Sequence, residues 1–92
     1  MPYSKIHTYA FHNKLEELKK EIKDIDVNVI NPFSWTALHI ASWIGNYDIV
    51  EYLLEQSDIV CEIKDNRGRT PLDIAISNGH SKIVYLLLSR ST

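Results

Sequence analysis

The apolar positions of the chain recur at helical spacing in short blocks that are bounded by turn residues. A helix is predicted from Pro71 to about residue 78, because Thr70 is a suitable N-cap and Gly79 suits the left-handed position that ends a helix. The same reasoning predicts six helices, at about residues 3–11, 15–22, 37–43, 47–55, 71–78 and 81–89. In the last of these, Val84, Leu87 and Leu88 are expected to share the buried face. The pattern therefore predicts an all-α chain built from pairs of short helices.

These helix pairs are copies of one another at a fixed offset. The segment from Thr36 to Gly45 returns 34 residues later as the segment from Thr70 to Gly79, with Thr, Leu, Ile, Ala and Gly at identical places. A unit of this length is too small to bury its own apolar face, so neighbouring units must stack. We predict a single domain over residues 1–92, with units at about 3–30, 31–64 and 65–92. The first unit is a degraded, polar cap in which Asn13 replaces the glycine.

The residues shared by the copies carry a family resemblance. Residues 70–75 read T-P-L-D-I-A, which resembles the ankyrin-repeat signature T-P-L-H-x-A, and residues 36–41 read T-A-L-H-I-A and keep the histidine. The resemblance covers about residues 6–90. It implies an ankyrin-repeat solenoid of three helix-turn-helix units, with β-turn fingers projecting at 27–35 and 61–69. It also implies that His39 bridges the starts of neighbouring helices and that Asp73 takes the same position one unit later.

Composition and charge narrow the possible functions. The 92 residues are 45% apolar, as expected for one folded domain, and the net charge of −2 provides no general attraction to nucleic acid. No apolar run approaches the ~20 residues that a membrane span needs, so membrane insertion is not expected. Cys61 is the only cysteine, which excludes an internal disulfide and favours an intracellular setting, either cytoplasmic or nuclear.

Residues with catalytic or metal-binding chemistry form no recognisable site in the sequence. The histidines lack metal-ligand spacing and the three glycines form no phosphate loop, so neither a metal nor a cofactor is predicted. One alternative is a small hydrolase that uses His39, Cys61 and Asp73, which requires these side chains to converge on one pocket. The capping roles implied for His39 and Asp73 favour a protein that is not an enzyme, with Cys61 as a spectator thiol.

The positions at which the copies differ are the candidates for partner contact. In ankyrin repeats these are the finger tips and the end of each first helix, which face the concave groove. The predicted partner-binding residues are Ile30, Phe33, Trp35, Trp43, Ile44, Arg67, Arg69 and Asn78. Because a contiguous apolar group on a surface usually marks a contact, we expect a groove that is apolar in the second unit and basic in the third. The alternative is that Trp35 and Phe33 only pack against each other and the adjacent finger.

The resemblance and the aromatic residues together predict a protein–protein interaction module. The expected partner is another protein or peptide segment with an aliphatic or aromatic anchor followed by acidic residues. A second interpretation is a regulatory or targeting segment of a larger multidomain enzyme, kinase or channel. Tyr85 and Leu86 make the last helix unusually apolar, which predicts either a neighbouring repeat or self-association through this C-terminal face.

Overall fold

Six helices in three antiparallel pairs make up the computed structural model, which describes residues 4–91. The helices are α1 (Lys5–Phe11), α2 (Leu15–Glu21), α3 (Ala37–Ile44), α4 (Tyr47–Leu54), α5 (Pro71–Ser77) and α6 (Ser81–Ser91), and a 3-10 turn at Ile22–Asp24 extends α2. The described range contains no strand, so the all-α prediction is confirmed. Of the predicted helix 3–11, position 3 lies outside the described residues, and Ser4 is the N-cap that precedes α1.

Local sequence chemistry explains where the helices begin and end. Thr70 is the predicted N-cap and forms a capping box with Asp73, in which the Thr70 amide donates to Asp73 Oδ2 at 3.0 Å and the Asp73 amide donates to Thr70 Oγ1 at 3.2 Å. At the other helix ends, Asn13, Gly45 and Gly79 have φ values of 58°, 95° and 71°. The left-handed conformation expected at these three positions is therefore confirmed, including the asparagine in place of glycine.

The pairs stack so that α1, α3 and α5 form one layer and α4 and α6 pack side by side in the other. Ala10, Ala41 and Ala75 are fully buried, one on each helix of the first layer, and their small side chains let these helices approach closely. A single apolar cluster runs through all three pairs, from Leu18 to Ile83. No pair has a core of its own, as expected for stacked repeats.

Two turns with the same hydrogen bonds project between the helix pairs, and we call them finger 1 (residues 31–35) and finger 2 (residues 65–69). In finger 1 the Asn31 amide donates to the Trp35 carbonyl at 2.9 Å, and in finger 2 the Asp65 amide donates to the Arg69 carbonyl at 2.9 Å. The fingers also touch each other, since the Asn66 amide donates to the Phe33 carbonyl at 3.2 Å. The turns predicted within 27–35 and 61–69 are thereby confirmed.

One prediction about the last helix is wrong. Leu87 is buried and Val84 is half-buried as expected, whereas Leu88 is 50% exposed. Leu88 corresponds by the 34-residue offset to Leu54, which is buried and lies beside Leu86 of α6. Leu88 therefore belongs to the face of α6 that a following layer would cover. That face is open among the described residues.

Candidate partner-binding groove

A groove of about 740 Å³ lies on the first layer of helices. It is lined by the two fingers, which touch each other, and by α1, α3 and α5. The lining side chains come from residues 7–12, 31–35, 40–43, 65–69 and 74–78. All three helix pairs contribute to it, so the groove exists only because the units stack.

Six of the eight predicted partner-binding residues line this groove, and two do not. The six are Phe33, Trp35, Trp43, Arg67, Arg69 and Asn78. Ile30 and Ile44 are exposed but lie outside it. Ile30 precedes the first residue of finger 1, and Ile44 is rotated by about 100° around α3 from Trp43 because it is the next helical residue. The groove therefore accounts for Trp43 but provides no role for Ile44.

Three aromatic rings of the groove remain open to solvent. Trp43 lies at the end of α3, with the Phe11 ring centroid 6.0 Å away in a tilted arrangement. Phe11 and Trp43 are 43% and 42% exposed, and Phe33 at the tip of finger 1 is 68% exposed. These exposed rings form the apolar part of the groove, which we call the aromatic end (Phe11, Phe33 and Trp43). Phe11 belongs to the first unit and Phe33 and Trp43 belong to the second, so the two units share this apolar surface.

Trp35 is held by the framework to a much greater extent. Its indole Nε1 donates to Asp65 Oδ2 at 2.7 Å, and its ring stacks on His39 with a centroid separation of 6.2 Å. The Arg69 guanidinium covers the ring at 5.9 Å, and Trp43 meets it edge-on at 5.3 Å. Packing within the protein thus explains why Trp35 is half-buried, while Phe33 has no comparable cover.

Asp65 is the polar centre of the groove, and the sequence reasoning missed it. Its Oδ1 accepts the amides of Arg67 and Arg69, both at 2.9 Å, and its Oδ2 accepts the Trp35 indole and the Arg69 side chain. Burial alone would raise the pKa of this carboxyl, but these hydrogen bonds outweigh it and hold the pKa well below its usual range. The sequence held one signal, which is that Asp65 corresponds to Asn31 at the 34-residue offset. In the structure, Asn31 Oδ1 accepts two amides in finger 1.

The contact between Asp65 and Arg69 alters the charge that was expected for the groove. Arg69 Nη2 lies 3.0 Å from Asp65 Oδ2, so its charge is balanced inside the protein. Asn78 is also committed to the neighbouring unit, since its Nδ2 donates to the Trp43 carbonyl at 3.2 Å. The third unit is consequently less basic in the groove than its sequence suggests, and Arg67 at the tip of finger 2 is its exposed cation.

A ladder of histidines ties the helix starts together. His39 Nδ1 accepts the Thr36 amide at 3.1 Å, and Nε2 donates to the Arg69 carbonyl at 3.1 Å, which confirms the bridging role implied for this residue. His7 repeats the arrangement, with Nε2 donating to the Trp35 carbonyl at 2.7 Å. His7 was not singled out from the sequence, although Ser4 and His7 have the spacing of Thr36 and His39.

These bonds remove the basis of the hydrolase alternative. Both ring nitrogens of His39 are engaged, and burial lowers the pKa of this imidazole. The Asp73 carboxylate caps α5. Burial, and to a lesser extent the nearby Glu62 carboxylate, raises the pKa of Cys61. None of His39, Asp73 and Cys61 lines the groove.

Residues 4–91 offer neither a metal site nor a membrane-spanning helix. No group of three His, Cys, Asp or Glu side chains in this range is placed to hold a metal ion. None of the described helices is both long and apolar enough to cross a membrane.

Comparison with known proteins identifies the family. A family model described as ankyrin repeats, in three copies, matches residues 6–92. The chain belongs to the ankyrin-repeat family. Ankyrin repeats are protein–protein interaction modules, and in this chain the groove lies on the layer formed by α1, α3 and α5.

Several curated proteins are similar over most of the chain. The human (Homo sapiens) SMC5-SMC6 complex localization factor protein 1 is 36% identical over 85 residues, which are 90% of this chain and 8% of that protein. The mitochondrial liver isoform of glutaminase from Rattus norvegicus is 37% identical over 73 residues, 79% of this chain and 11% of the enzyme. Human ankyrin repeat domain-containing protein 13B is 31% identical over 86 residues, 90% of this chain and 13% of that protein. The chain thus spans about a tenth of the length of these relatives.

Proposed function

We propose that this ankyrin-repeat protein binds an extended segment of a partner protein in the groove, with an aliphatic or aromatic side chain seated at the aromatic end. The observation that carries the proposal is the exposure of Phe11, Phe33 and Trp43 within one groove. Folded proteins rarely leave neighbouring aromatic rings in water unless a partner covers them, and such rings supply much of the binding energy at interfaces.

The charge of the groove supports a protein partner over nucleic acid. Arg69 is paired with Asp65, and Lys64 does not line the groove, so no row of cations is available for a phosphate backbone. The protein's net charge of −2 points the same way. The half-buried, free thiol of Cys61 supports an intracellular setting, in the cytoplasm or the nucleus.

The alternative is that the chain acts as a regulatory or targeting segment of a larger protein. The small share of each relative that it matches supports this interpretation, and one of those relatives is an enzyme. In that case the groove would bind a segment of its own larger protein, and the same residues would make the contact.

A substitution that the chain itself supplies tests the groove. Trp43→Ser installs the residue of the third unit, since Ser77 occupies the equivalent position. Peptides selected from a displayed random library on the wild-type protein are expected to bind Trp43→Ser at least tenfold more weakly, because truncation of an interface tryptophan typically costs ~2 kcal/mol or more. Fluorescence anisotropy at submicromolar protein measures the affinity.

Tyr85→Ser is the matched control, because it removes an aromatic ring that is 73% exposed and lies outside the groove. It is expected to keep wild-type affinity. Circular dichroism melts of both variants check that they fold. Equal affinities of the wild type and Trp43→Ser would overturn the proposal, as would an equal loss in both variants.

A further inference from the structure

Equivalent positions of the two fingers carry different chemistry. Phe33 and Arg67 are separated by the 34-residue offset and occupy the same place in their turns. Both are exposed and both line the groove. A partner segment that follows the groove from one unit to the next therefore meets an aromatic ring at one finger and a guanidinium at the other.

Arg67 presents the groove's open positive charge. Arg69, the other arginine of the lining, is paired with Asp65, whereas the Arg67 side chain forms no ion pair within residues 4–91. Asp65 is the only carboxylate of the described lining, and its side chain is 2% exposed and already accepts several donors. An incoming carboxylate thus finds one available cation and no exposed acidic neighbour in the groove.

The stacking of the units sets the distance between the two contacts. Packed helices lie ~8–10 Å apart, and the direct bond from the Asn66 amide to the Phe33 carbonyl keeps the fingers in the same register. A segment in the extended polyproline II conformation advances ~3.1 Å per residue with three residues per turn, so side chains three positions apart point to the same side. One unit therefore corresponds to about three residues of an extended partner.

We propose that the bound segment carries a large apolar residue and an acidic residue three positions apart, in either order. The apolar side chain packs against Phe33 and the rest of the aromatic end, and the carboxylate pairs with Arg67. This motif rests on the proposed function of the groove. It narrows the expected acidic stretch to one carboxylate, because Arg69 is already neutralised.

Selection from a displayed library of random 12-residue peptides tests the motif. Peptides enriched by the wild-type protein are expected to carry Asp or Glu three positions from a large apolar residue more often than at any other separation. Arg67→Glu is expected to weaken the binding of these peptides about tenfold. Peptides that carry Lys in place of the acidic residue are expected to regain affinity for this variant. Lys64→Glu is the matched control, because it makes the same charge change in an exposed residue outside the groove.

The possible results separate this inference from the proposed function. Enriched peptides that depend on Trp43 but show no acidic preference at three positions, or no response to Arg67→Glu, overturn the motif and leave groove binding intact. An equal response to Lys64→Glu also overturns it, since the effect would then be general electrostatics. Failure to enrich any peptide that depends on Trp43 contradicts the proposed function, and the motif with it.

Discussion

At the scale of single residues, the partners of a side chain lie either close by in the sequence or in another unit of the stack. Thr70 and Gly79 have roles fixed by their nearest neighbours, so cap and left-handed turn were both evident in the sequence. Asp65 acquires its role only when stacking brings Trp35, 30 positions earlier, to 2.7 Å from its carboxylate. A contact between residues this far apart can be predicted only if the register of the units is known. The 34-residue offset gives that register once the copies are aligned.

The buried His39 makes stability depend on pH. Burial lowers its pKa in the folded state below the ordinary value of 6.5, so the unfolded chain binds a proton more readily as pH falls. Stability is therefore complete well above pH 6.5 and declines as pH falls below it. Between pH 7 and 5.5 we expect the free energy of unfolding to decline, and this one group can contribute at most ~1.4 kcal/mol per pH unit.

Urea unfolding at a series of pH values measures this effect. His39→Gln is expected to be less stable at pH 7, because it loses bonds to the Thr36 amide and the Arg69 carbonyl, and to show a smaller decline toward pH 5.5. His12→Gln removes one histidine from an exposed position and serves as the control. A decline that is the same in His39→Gln as in the wild type would contradict the assignment.

At the scale of elements, the two fingers show how one turn is used twice for different purposes. Asn31 and Asp65 close their turns with the same pair of backbone bonds, and an amide oxygen suffices for that. Only Asp65 has a second oxygen free to accept the Trp35 indole and the Arg69 side chain, and so to join finger 2 to finger 1. The turns were predictable from Asn, Pro and Gly, whereas this connection depends on the charge of one side chain.

Asp65→Asn separates the two roles of this residue. The amide oxygen can still close the turn as Asn31 does, but the amide nitrogen cannot accept from the indole or from Arg69. We expect a loss of about 2 kcal/mol in the free energy of unfolding, because hydrogen bonds to a buried charge are lost and an unpaired indole N–H remains. Thermal and urea unfolding at pH 7 provide the measurement.

Asp73→Asn is the matched control for this change. It removes one negative charge from an exposed residue that caps α5, and we expect it to cost under ~1 kcal/mol. If Asp65→Asn were no more destabilising than Asp73→Asn, the carboxylate would not join the fingers as described.

At the scale of the whole molecule, the two ends of the stack differ in polarity. The first pair presents exposed Glu16, Glu17 and Lys20 on α2, in keeping with the polar cap expected from the sequence. The opposite end presents Ile76, Tyr85 and Leu88, which are 58%, 73% and 50% exposed. The second unit has Ser42, Glu51 and Leu54 at the equivalent positions. The open end is thus more apolar than the interface between the second and third units at the same places.

This difference leads to a prediction about self-association. A head-to-tail stack would press the apolar end against the charged α2, so a second copy is expected to meet the first through two apolar ends related by a two-fold axis. Because only a few side chains take part, the dimer should be weak, with a dissociation constant on the order of 0.1 mM. Sedimentation equilibrium over micromolar to millimolar concentrations measures it. Tyr85→Glu installs the residue of the second unit and should remain monomeric, while Val60→Glu changes an exposed apolar residue elsewhere and should associate like the wild type. A wild-type protein that is monomeric at millimolar concentration would exclude this contact.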